Sequence, residues 1–233
     1  MHNGNVGGWQ YIKRPLGDSL ADRWYLGVKG GTDSEWAFAL FLDLLEKEGV
    51  DPSSDPGPEG FGQALLRRVM VKTIAKINEF IRDIPKRHNV SGIETRSLLN
   101  FAVTDGHTVV CTRYISSKTD EPASFLPSPQ NWRLTSLDNW VSVPANSIVT
   151  IHKQTVLLHP IMDEFYSEDL NHDRSSCYAV SKGLVSTAPG TTVQPQNTES
   201  KAPAISVNGA RVDDHAGLAQ HQLELANKCA ISH

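Results

Sequence analysis

Apolar positions crowd together after residue 35. Trp36, Ala37, Phe38, Ala39, Leu40, Phe41, Leu42, Leu44 and Leu45 cover nearly the whole circumference of a helix. A helix with that pattern is expected to be buried on most sides. Thr32 precedes Glu35 at the spacing of a capping box, and Asp33 and Glu35 put negative charge in the first turn, where the helix dipole favours it. Gly49 supplies a terminator. From about Phe61 to Ile84 the apolar positions thin to one stripe. Leu66, Val69, Met70, Thr73, Ile74, Ile77, Phe80 and Ile81 recur at three- and four-residue steps, while Arg67, Arg68, Lys72, Lys76 and Glu79 fill the other face. This predicts a long amphipathic helix stopped by Pro85. Between these helices, D-P-S-S-D-P-G-P-E-G (51–60) reads as a loop. Over residues 9–29, Pro15, Gly17 and Gly27 limit regular structure to short helices on either side of Pro15.

After residue 96 the period changes. S-L-L-N-F-A-V-T (97–104) and H-T-V-V-C-T-R-Y-I (107–115) predict two strands joined at Asp105-Gly106, a strong hairpin signal. S-I-V-T-I (147–151) and T-V-L-L-H (155–159) predict a second pair around His152-Lys153-Gln154. Helices followed by antiparallel hairpins point to an α+β layered domain rather than a doubly wound parallel sheet. Residues 116–140 are polar and broken by Pro122, Pro127 and Pro129. From Lys182 the chain turns to Ser, Thr, Pro, Gln and Gly, so residues 182–233 are expected to be a disordered tail, with at most a transient helix at Leu218–Ala226.

Composition narrows the functional classes. The 233 residues are 39% hydrophobic and 21% charged with a net charge of -4, which gives no basis for nucleic-acid or membrane-surface binding. No apolar run is long enough to span a bilayer, and the start carries no secretory-signal pattern. Cys111, Cys177 and Cys229 are odd in number, far apart and without C-x-x-C spacing, which argues against a disulfide framework or a cysteine zinc site. A reducing, cytoplasmic location is the expectation. His152 and His159 show no zinc-type spacing and read as ordinary surface or hydrogen-bonded histidines. No metal or other cofactor is implied.

Two short motifs and three longer stretches carry a resemblance. H-N-G-N (2–5) and T-D-S-E (32–35) resemble two signatures of class II glutamine amidotransferases, which are N-terminal-nucleophile (Ntn) hydrolases. The stretches G-T-D-S-E-W-A-F-A-L-F-L-D, L-L-N-F-A-V-T-D-G-H-T-V-V-C-T-R-Y-I and W-V-S-V-P-A-N-S-I-V-T-I-H-K-Q-T-V-L-L-H-P-I-M-D-E-F-Y are similar to the fungal amidotransferase-like subunit of the cytosolic glutathione-degrading complex. The resemblance runs from residue 1 to roughly residue 184. It implies an α+β fold, a partial αββα sandwich of antiparallel sheets flanked by helices, with an amidotransferase-like domain over residues 1–181. It also implies hydrolysis of γ-glutamyl amide bonds and a metallopeptidase-like partner subunit.

The resemblance assigns roles to three residues. An amide carbonyl under attack becomes an oxyanion, and each well-placed hydrogen-bond donor lowers the barrier by about 3 kcal/mol. Asn3, through its side-chain amide, and Gly4, through its backbone N–H, are the implied donors. Asp33 is the implied partner of the substrate's α-ammonium group. The family's nucleophile is a cysteine at the first position of the mature chain, whereas here Met1 precedes His2. Cys111 lies in a strand pattern beside Val109 and Arg113 and reads as a structural thiol. The family's strands and carboxylate-gripping arginine ahead of H-N-G are also missing, as are further strands near 121–140. The expectation is an N-terminally truncated, catalytically inert chain, or else a non-catalytic subunit that binds the peptidase-like partner.

Overall fold

A computed structural model of the chain describes residues 1–123, 143–168 and 173–184. Among them, five strands form one antiparallel sheet in chain order. They are β1 (His2–Asn5), β2 (Leu98–Thr104), β3 (Thr108–Arg113), β4 (Ser147–His152) and β5 (Thr155–Pro160). Both predicted hairpins form. At Asp105-Gly106 the Asp105 carboxylate accepts the N–H groups of His107 and Thr108, and Gly106 takes φ 93°. At the other turn Lys153 takes φ 54°. Both are turn positions that need a left-handed residue. In β3, Thr112 reaches into the ladder: its hydroxyl accepts the N–H of Phe101 and donates to the carbonyl of Leu99.

The helices are α1 (Trp9–Ser19), α2 (Asp22–Gly27), α3 (Asp33–Lys47), α4 (Gln63–Arg82), α5 (Ile84–His88) and α6 (Cys177–Ser181). Successive strand residues face opposite sides. Leu99 and Phe101 of β2, Val110 of β3 and Ile148 of β4 join Ile12, Leu16, Leu40, Leu45, Leu66, Met70, Ile74 and Ile77 in one core between sheet and helices. Each of these larger side chains stabilises the fold by about 2 kcal/mol when fully buried. The mixed helix and antiparallel-sheet class is therefore the one the sequence pattern predicts.

Several details differ from the sequence reading. The opening His-Asn-Gly-Asn is a strand, although Asn-Gly is turn chemistry in isolation. Pro15 lies inside α1, not between two helices. Ile12 and Leu16, both fully buried, hold the two halves against the core and outweigh the missing hydrogen bond. Pro85 does not end the helical path. It sits in the first turn of α5, where the absent N–H costs nothing. Phe38 is 49% exposed, so α3 is buried on fewer sides than its sequence predicts. Lys182–Leu184, placed in the tail by composition, close α6 through backbone bonds to Tyr178, Val180 and Ala179. The rest of the tail, the Leu218–Ala226 segment, Cys229 and residues 124–140 of the proline-broken stretch lie outside the described residues.

Candidate active site

Asn3 and Gly4 both lie on β1, which is an edge strand of the described sheet. The register places Asn3 opposite Asn100 and Gly4 opposite Leu99. Met1 and Ala102 exchange both backbone bonds, N–H to carbonyl in each direction. In an antiparallel ladder such pairs alternate, so Asn3 and Asn100 form the next one. The N–H of Gly4 then points away from β2, toward the open edge. Glycine is required there for packing. A Cβ on Gly4 would lie 1.8 Å from the carbonyl oxygen of Leu98. The strand approaches β2 closely because residue 4 has no side chain.

The alternation of faces separates the neighbours of this pair. His2 faces the helices: its ring lies 4.6 Å from that of Phe101 and its Nδ1 is 2.9 Å from Ser34 Oγ. Asn3 therefore faces the other side of the sheet. Among the described residues its side-chain amide has no hydrogen-bond partner, so its donors remain unspent. Asn5, two positions on, has a buried Oδ1 with no partner.

Asp33 is held against this strand. Thr32 caps α3 through the N–H of Glu35, as its spacing predicts. The reciprocal half of the capping box is absent: Glu35 instead accepts the N–H groups of Lys29 and Gly30. Asp33 Oδ2 accepts the N–H of Val6 at 2.8 Å, and Oδ1 accepts the N–H of Ser34 at 2.7 Å. A carboxylate offers about four acceptor positions, so these bonds anchor Asp33 without exhausting it. The bond to Val6 ties α3 directly to the end of β1. Asp33 thus lies at the same edge of the sheet toward which the Gly4 N–H points, while the Asn3 side chain lies on the face away from the helices.

His2 is the member of this cluster that sequence reasoning missed. Its Nε2 lies 3.1 Å from the Leu98 carbonyl and its Nδ1 against Ser34, so both ring nitrogens are engaged. Burial holds its pKa below the ordinary value, opposed by the bond to Leu98 and the nearby Asp33 charge. Its only sequence signal was its place in the H-N-G motif. A cavity of about 310 Å³ opens beside it, between Met1, His2, Thr32 and Ser34 on one wall and Phe38 and Phe41 on another.

Cys111 is the free thiol, paired in register with Ala102 and therefore two strands in from β1. Burial pushes its pKa up, which suits a structural thiol and opposes thiolate chemistry. Cys177 is disulfide-bonded, contrary to the expectation of unpaired thiols. His152 bonds to Thr108 and His159 approaches Arg67. Asp163, for which the sequence offered no role, accepts a 2.6 Å bond from the Tyr114 hydroxyl, which itself accepts from Asn78.

The chain is 45% identical over 217 residues to "Probable glutamine amidotransferase DUG3" of Saccharomyces cerevisiae, a match covering 81% of this chain and 59% of that protein. The chain thus spans about three fifths of that relative's length. A solved structure, a glutamine aminotransferase class-II domain protein from Silicibacter pomeroyi, is similar with a TM-score of 0.46 and 21% identity, over 70% of this chain and 65% of that one. No family model matches the chain.

Proposed function

Because the chain belongs to the glutamine amidotransferase family, we propose that it binds γ-glutamyl amides, such as glutamine or glutathione, at the open edge of β1. The observation that supports this reading is that the outward Gly4 N–H and the anchored Asp33 carboxylate share that edge, with the unspent Asn3 amide on the same strand. The Asn3 amide and the outward Gly4 N–H receive the amide oxygen, and Asp33 receives the α-ammonium group. Each oxyanion donor of this kind contributes about 3 kcal/mol to hydrolysis when a nucleophile is in place.

As these 233 residues stand, the chain binds such ligands without cleaving them. Hydrolysis needs a thiolate at the oxyanion donors, and Cys111 is two strands away with its thiol kept protonated by burial. The test pairs two measurements on the purified chain. Calorimetric titration with L-glutamine should show binding that is lost in Asp33→Asn, and a glutamate-release assay with glutamine or glutathione should show no turnover. Absence of binding refutes the ligand assignment. Glutamate release that survives Asn3→Ala refutes the assigned roles.

A second reading is favoured by one surface. Ile151, Val156, Leu158 and Met162 are exposed on or beside β4 and β5, and register places Ile151, Val156 and Leu158 on the face away from the helices. An apolar patch of that kind suits a protein contact. In this reading the chain is a non-catalytic subunit whose partner is the metallopeptidase-like protein that the family resemblance implies. Co-purification with such a peptidase, abolished by Val156→Asp and Leu158→Asp together, would support it. Unaltered co-purification would dismiss it.

A further inference from the structure

A continuous hydrogen-bonded chain links β2 to the ammonium-binding carboxylate through two residues given no role so far. It runs from the Leu98 carbonyl to His2 Nε2 at 3.1 Å, and from His2 Nδ1 to Ser34 Oγ at 2.9 Å. From Ser34 Oγ it continues to Asp33 Oδ1 at 3.3 Å. Proton counting along the chain leaves two arrangements. A carbonyl only accepts, so Nε2 carries a proton in both. With His2 neutral, Nδ1 is an acceptor and takes the one hydroxyl proton of Ser34. Asp33 Oδ1 then holds only the Ser34 backbone N–H and keeps an open acceptor position. With His2 protonated, Nδ1–H donates to Ser34 Oγ, and the Ser34 proton turns onto Asp33 Oδ1.

We propose that His2 is a positioning residue for ligand binding, acting through Ser34 to set whether Asp33 has an acceptor position free for an α-ammonium group. The inference rests on the ligand assignment made above and adds its regulation. Neutral His2 opens the site, and protonated His2 closes it by filling Oδ1 and adding a positive charge nearby. The groups facing the imidazole are few. From α3 come Asp33 and Ser34, with Glu35 turned to the backbone of Lys29 and Gly30. From the chain start comes the Met1 ammonium group, which opposes protonation. From β2 come Phe101 and the Leu98 carbonyl, and from α4 the nearby Met70 and Thr73, none of them titratable. Burial favours the neutral form, so the open arrangement holds at neutral pH.

Two measurements on the full chain test this. In the first, nitrogen-15 and carbon-13 NMR follow the His2 ring and the Asp33 carboxylate against pH. The expected result is an Nε2–H tautomer at pH about 8 and an Asp33 signal that steps when His2 titrates. The step should vanish in Ser34→Ala and persist in Ser34→Thr, which keeps the hydroxyl. An Nδ1–H tautomer, or an undiminished step in Ser34→Ala, overturns the proposal. In the second, L-glutamine affinity should fall about tenfold as His2 becomes protonated, and Ser34→Ala should flatten that dependence. A pH dependence unchanged in Ser34→Ala overturns it. If glutamine binds at no pH, the ligand assignment fails, while the first measurement still decides whether the relay exists.

Discussion

Buried polar groups at the centre of the sheet and polar groups at its β1 edge are used in opposite ways. In the centre nearly every one is spent, the hydroxyl of Thr150 on β4 being the exception. The Tyr114 hydroxyl donates to Asp163 and accepts from Asn78. Asn100 donates to the Ala123 carbonyl and accepts the Tyr114 N–H, and Asn146 spans the Ile115 N–H and the Phe165 carbonyl. At the edge capacity is left over: the Asn3 side-chain amide has no partner among the described residues, the Gly4 N–H faces outward, and Asn5 Oδ1 is unpaired. A buried polar group that lacks a partner destabilises the fold, so satisfied ones read as structure. Donors left free on a strand that an anchored carboxylate also borders read as a place for a ligand. The same residue type, asparagine, stands in both settings in this chain, and only its surroundings tell which.

Substitutions can break this comparison. The largest effect should come from Gly4→Ala, where the new methyl meets the Leu98 carbonyl and β1 must move. A loss of about 3 kcal/mol in urea denaturation is expected for such overpacking, and a variant as stable as the parent would show that β1 is not tightly seated. Next come Tyr114→Phe and Asn100→Ala, each leaving buried groups without partners. About 2 kcal/mol is expected for each in the same measurement. If either were neutral, the centre of the sheet would not be the structural half of the comparison.

The third prediction concerns pH. The folded-state pKa of His2 lies below its ordinary value of 6.5, chiefly through burial. The folded state therefore binds the proton less readily than the unfolded chain. The stabilisation is complete above about pH 6.5 and is lost as pH falls toward the lowered folded value. Thermal melts of the parent and of His2→Gln between about pH 8 and 5 should show the parent losing more stability on acidification. Parallel curves would remove His2 as a titrating element. The smallest effect is expected for Asn3→Ala, under about 0.5 kcal/mol, because no bond is broken. A destabilisation matching that of Asn100→Ala would place Asn3 among the structural asparagines after all.

Local pattern made much of the fold legible. The long stripe of α4, the hydrophobic run of α3 and the two hairpins arise from neighbours along the chain, so periodicity and turn chemistry predict them. The same local evidence misplaced Pro15 and Pro85, and it leaves the opening strand unread, since Asn-Gly alone favours a turn. Each of these was decided by a partner distant in sequence: the core around Ile12 and Leu16, the seat of α5, and the Leu98 carbonyl that Gly4 approaches. The candidate site divided similarly. Asn3, Gly4 and Asp33 could be named from motifs, and the donors and acceptor they carry are properties of the residues themselves. His2 and Ser34 could not, because a hydrogen-bonded relay exists only once β1, β2 and α3 are packed together.

What the sequence alone determined was the inventory: which groups can donate, accept or titrate, and which segments can be helix or strand. The tertiary structure decided which of those groups are already spent. That decision follows from burial, because removal from water obliges each polar group to find a partner inside the fold. At the half-buried edge of β1 that obligation is left partly unmet, and there the chain keeps the Asn3 amide and the Gly4 N–H free.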